Sequence, residues 1–76
     1  MALHNMEIVE VFKTNVQQDD QARQLIKKLL GHFPHCKINF DLQDCDKILR
    51  VAGIQIYPDK IIELINPSGY HCEILL

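Results

Sequence analysis

The sequence predicts an α+β sandwich, a four-stranded antiparallel sheet carrying two helices on one face, and three observations predict it. Strand-like and helix-like apolar periods succeed one another in the order β-α-β-β-α-β. Each helical stretch carries a single apolar stripe, so the two need a common cover. No linker, repeat or low-complexity stretch divides the 76 residues, so residues 1–76 read as one domain.

The elements follow in order. Glu7 to Lys13 is rich in β-branched and aromatic residues and reads as the first strand. From Asp19 the period becomes helical, with Ala22, Leu25, Ile26 and Leu29 on one stripe. Asp19 and Asp20 suit the positive end of the helix dipole, Lys27 and Lys28 suit the other end, and Gly31 is the expected stop. After Phe33-Pro34, Cys36, Ile38, Phe40 and Leu42 alternate with Lys37, Asn39 and Asp41, the pattern of a half-buried strand. Asp44-Cys45-Asp46 is a turn, and Lys47 to Val51 is the third strand, with Leu49 and Val51 on one side and Ile48 and Arg50 on the other. Pro58 fits the first turn of a second helix whose stripe is Ile61, Ile62 and Ile65. Asn66-Pro67-Ser68-Gly69 ends it, and Tyr70 to Leu75 is the fourth strand. This is the ferredoxin-like βαββαβ arrangement, with strand order 4-1-3-2 and one sheet face left open.

Composition excludes several functions. With 47% hydrophobic and 24% charged residues the chain has the make-up of a globular domain rather than a disordered one. A net charge of −2 and scattered basic residues offer no footprint for nucleic acid. No apolar run is long enough to span a membrane, and Met1 to Asn5 lacks a leader pattern, so the expected location is cytoplasmic. Three cysteines, an odd number, do not make a disulfide framework and fit a reducing compartment.

Phe12-Lys13-Thr14-Asn15-Val16 before the first loop, Asp46 to Gly53 (DKILRVAG) in the third strand and Gly69-Tyr70 before the last strand resemble the heavy-metal-associated domain. That family comprises small copper chaperones and the N-terminal modules of copper-transporting ATPases. The resemblance runs from Glu7 to Leu75 and implies the same fold. In the family, two thiolates on the loop after the first strand hold Cu(I). Aligning Val16 with the family's apolar residue before that loop puts those positions at Gln18 and Gln21, and a neutral amide is a poor ligand for a soft metal. The resemblance therefore implies the fold without the metal site, and no cofactor is expected.

Other residue groups offer weaker chemistry. His35-Cys36 and His71-Cys72, with Cys45, are candidate ligands for a displaced Cu or Zn carrier site. Cys36 shares parity with Ile38 and Phe40, and Cys72 with Ile74, so both thiols are expected to pack as small hydrophobes on opposite sheet edges. Cys45 is the expected exposed thiol, but Asp44 and Asp46 flank it with the wrong charge for a reactive thiolate. Asp19, Asp20, Asp41, Asp44 and Asp46 lack the ligand spacing of a calcium loop. There is no Ser-His-Asp pattern or Gly-rich phosphate loop, and no enzyme is expected. The first strand carries apolar residues on both parities, Val9 and Val11 against Ile8 and Phe12. Val9, Val11, Ile48 and Arg50 are therefore expected to face outward, opposite a core face of Phe12, Phe40, Leu49 and Ile74. The expected function is a small non-catalytic interaction module whose open face receives a protein partner or a second copy.

Overall fold

A computed structural model describes residues 6–75; Met1 to Asn5, the segment judged for a leader, and Leu76 lie outside the described residues. The elements are β1 (Ile8–Thr14), α1 (Asp19–His32), β2 (Lys37–Asp41), β3 (Ile48–Gly53), α2 (Pro58–Ile65), a 3-10 turn at Asn66–Ser68 and β4 (Cys72–Ile74). The strands form one antiparallel sheet in the order β2-β3-β1-β4, the ferredoxin-like arrangement.

Register explains where the core lies. Phe40, Leu49, Phe12 and Ile74 pair in a single row across the four strands, the expected core face. The two central members are fully buried, whereas Phe40 at one edge is half-buried and Ile74 at the other is exposed. Leu29 from α1 and Ile61 and Ile65 from α2 complete the main cluster with Val51 and Cys72, while Val16, Ala22 and Leu25 form a second one beside it. Ile26 and Ile62, assigned to the helical stripes, are only half-buried at their margins.

Several boundaries differ from the sequence reading, each for a local reason. α1 passes through Gly31 and ends at His32, because Phe33 precedes proline and leaves the helical region (φ −132°, ψ 69°). The Phe33 N–H still donates to the Leu29 carbonyl. Lys47 falls outside β3 because it adopts φ 50°, a left-handed conformation that closes the turn from Asp44. β4 is shorter than Tyr70 to Leu75, since Gly69 in the left-handed region (φ 97°) redirects the chain just before it. Lys28 locks the helices together: its ammonium donates to the Leu64 carbonyl at 2.9 Å and the Ser68 hydroxyl at 2.8 Å, satisfying the end of α2 from the neighbouring helix.

Candidate functional site

The loop between β1 and α1, where the resemblance would place metal ligands, is occupied by helix-start chemistry. Gln18 is the N-cap residue of α1, and the Gln21 side-chain oxygen accepts the backbone N–H groups of Gln17 and Gln18 at 3.4 and 3.3 Å. Asp20 accepts the Gln21 N–H at 3.0 Å. These side chains satisfy donors that a helix start leaves without partners. Asn15 then ties the loop to the neighbouring α2–β4 connection by accepting the His71 N–H at 2.7 Å.

The turn beyond β2 is braced in the same manner. Buried Thr14 donates its hydroxyl to the Lys47 carbonyl and accepts the Val16 N–H at 3.2 Å, linking the turn to the end of β1. Ligand atoms of Asp44, Cys45 and Asp46 lie within 4.8 Å of one another. Both carboxylates already have local roles. Asp44 accepts the Asp46 N–H at 2.9 Å, and Asp46 faces the Lys13 ammonium at 3.9 Å.

The three thiols are free and stand apart. Cys45 is exposed in the turn, Cys36 is half-buried before β2, and Cys72 is buried on β4, at the opposite edge of the sheet. His35-Cys36 and His71-Cys72 are therefore not brought together. Burial pushes the Cys72 thiol up to about 12, with the Glu73 carboxylate adding to the effect, and burial also raises Cys36. Both are neutral thiols near pH 7, small apolar groups rather than thiolate ligands.

On the open face, register places Val9, Val11, Ile48 and Arg50 together with Asn39, Lys37 and Ala52. Val9 is 55% exposed, and Val11 and Arg50 are half-buried. Ile48 departs from expectation: it is only 3% exposed and does not present an outward surface. It pairs with Asp41 on β2, and one further step of register sets Lys13 on its other side. The stem of a long charged side chain such as Lys13 shields an aliphatic neighbour while its head stays wet. The apolar part of the face is consequently smaller than the parity pattern implies.

Five of the eight exposed large apolar residues lie instead toward the end of the sheet where β1 begins and β3 finishes, the others being Leu30 on α1 and Ile74 and Leu75 at the β4 edge. Met6, Ile8, Val9, Ile54 and Tyr57 are exposed there, and Ile8 pairs with Gly53 at the end of β3. Next to them lies a cleft of about 440 Å³ between the α1–β2 connection, with Phe33, Pro34 and Cys36, and the β3–α2 connection, with Ile54 and Tyr57. Behind Cys36 the packing is close, for a Cβ at Gly53 would sit 3.0 Å from the Cys36 Sγ. Sequence reasoning missed this end because it assigned Ile54 to Tyr57 to no element. An Ile-Gln-Ile-Tyr run in a connection, with no core stripe to absorb it, was the available signal.

A wider depression of about 520 Å³ between α1 and the β2 edge mixes Asp19, Asp41, Arg23 and Arg50 on its walls. No described helix is long and apolar enough to cross a membrane. No family model matches the chain, and neither a curated protein nor a solved structure matches it.

Proposed function

We propose that this chain is a small, non-catalytic interaction module of a reducing, cytoplasmic compartment, related in design to heavy-metal-associated domains but without their metal loop. Its contact surface is the apolar end of the sheet together with the adjoining strip of open face at Val9 and Val11. One observation carries the reading: Met6, Ile8, Val9, Ile54 and Tyr57 expose large apolar side chains on the two faces of this end, whereas the connections at the opposite end expose none among the described residues. Exposed apolar side chains gathered at one end, with charged neighbours such as Lys37 and Glu7, themselves paired at 3.1 Å, suit a modest protein interface. The displaced-ligand carrier finds no comparable support, since its two His-Cys pairs lie on opposite edges.

Affinity capture with tagged parent and variants, followed by sedimentation of each alone, tests the assignment. Val9→Lys and Ile54→Lys should abolish the capture of a partner, or the self-association, that the parent shows, and Asp44→Lys at the other end should not. Loss in Asp44→Lys with retention in the first two would place the contact at the wrong end for this proposal.

A further inference from the structure

We infer that the cleft between the α1–β2 and β3–α2 connections is a binding site for a small uncharged aromatic compound. The inference concerns the isolated protein and does not rest on the interaction surface proposed above. Three properties of the cleft converge on that ligand class.

Charge comes first. The chain has eight Lys and Arg and ten Asp and Glu residues, yet none of them lines the cleft. Its two histidines, His32 and His35, carry charge only when protonated, so in mildly alkaline solution an ionised ligand would lose water there and find no counter-charge, a penalty that an uncharged ring does not meet. The contrast with the depression beside β2, walled by two acids and two arginines, shows that this neutrality is local.

Ring chemistry comes second. Phe33, Tyr57, His32 and His35 supply four of its walls, and the His32 and Phe33 rings already meet in a tilted arrangement with centroids 6.3 Å apart. Aromatic surfaces at such spacings favour a further ring packed edge-on or offset. The Tyr57 hydroxyl and the Gln55 amide at the margin provide uncharged hydrogen-bonding groups for a single polar substituent.

Size and packing come third. A volume of about 440 Å³ lies at the small end of ligand clefts, suited to one or two fused rings. The half-buried Cys36 thiol lines the cleft with its Sγ close against the Gly53 backbone, where an added Cβ would meet it at 3.0 Å, so this wall is apolar and closely packed from behind. Binding is non-covalent.

Indole is the probe, with indole-3-acetate as its charged counterpart. Titrated into the full-length, isotope-labelled protein, indole should produce saturable amide shifts confined to Phe33, Cys36, Ile54 and Tyr57. In mildly alkaline buffer, where imidazoles are uncharged, indole-3-acetate should bind at least tenfold more weakly. Ile54→Lys, at a position 66% exposed, should keep the fold and weaken indole by a similar factor. In a Cys45→Ser background, saturating indole should slow the alkylation of Cys36 by N-ethylmaleimide several-fold. Dispersed or non-saturating shifts would overturn the site, and so would an unchanged affinity in Ile54→Lys. Equal affinity for the two probes would overturn the ligand class.

Discussion

The two ends of the sheet, one with three connections and the other with two, are built on opposite principles. At the end where β1 finishes, Asn15, Thr14, Asp44 and Gln21 bond backbone groups of their own and neighbouring connections, and buried Thr14 joins two of them. At the end where β1 starts, the connections are held mainly by short backbone bonds, such as Cys36 N–H to the Phe33 carbonyl at 3.1 Å, and their large side chains line a cleft. Polar groups that satisfy one another leave nothing for a partner to complete, whereas exposed apolar surface gains free energy only when something covers it. The difference teaches that the loop where the resembled family keeps its metal is closed chemistry in this chain, and that the unsatisfied apolar surface lies at the far end, where the proposed contacts are placed.

The largest test asks whether the ends share one support. Phe12 is fully buried in the row that spans the sheet, and Phe12→Ala should cost about 3–5 kcal/mol in urea unfolding. Amide exchange in the variant should rise at both ends together. Loss of protection at one end only would mean that they are separate cooperative units and that the comparison is between two independent parts.

Thr14→Val addresses the braced end alone. It removes the donor to the Lys47 carbonyl and the acceptor for the Val16 N–H at little change in volume, so about 1–3 kcal/mol should be lost. Ile54→Lys at the other end should stay within about 0.5 kcal/mol of the parent. Equal costs for the two would erase the distinction between a self-satisfied end and an open one.

A pH experiment sharpens the same point through Cys72, which pairs with Thr14 on β4. The thiol is only 3% exposed, and its folded pKa is raised from 9.0 to about 12 by burial and then by Glu73. Below pH 9 both folded and unfolded chains hold the proton and the stabilising difference is fully present. Between pH 9 and 12 the unfolded chain ionises first, so stability should fall by up to about 1.4 kcal/mol per pH unit. The stability gap between the parent and Cys72→Ala should therefore narrow as pH rises through this window. A constant gap would show that the thiol ionises equally in both states and that this edge is open to water.

The fold was legible because period and parity report burial directly. The Phe12, Phe40, Leu49 and Ile74 face could be read from alternation alone, and the strand order followed from two helices seeking one cover. Parity stops at the backbone, however. It assigns Ile48 to the open side but is blind to the neighbouring Lys13 and Asp41, which belong to other strands. The cleft was less legible still, because its walls come from two connections about twenty residues apart and carry no period. Phe33-Pro34 and Ile54 to Tyr57 become one site only after β2 and β3 have paired.

The smallest expected effect tests the resemblance itself. Gln18→Cys with Gln21→Cys removes the acceptor for two exposed backbone N–H groups at the start of α1, and both positions lie outside the two core clusters. The stability cost should be about 1 kcal/mol, the usual consequence of losing a helix cap. Two thiolates at the start of α1 meet the positive end of its dipole, which favours the ionised form that soft metals require. The double variant should therefore hold one Cu(I) against a chelator that strips the parent, with the apolar end unaffected and indole affinity unchanged. If the variant folds normally and holds metal no better than the parent, the backbone of this loop does not follow the heavy-metal-associated geometry. The likeness would then reduce to the βαββαβ order, which many unrelated functions share.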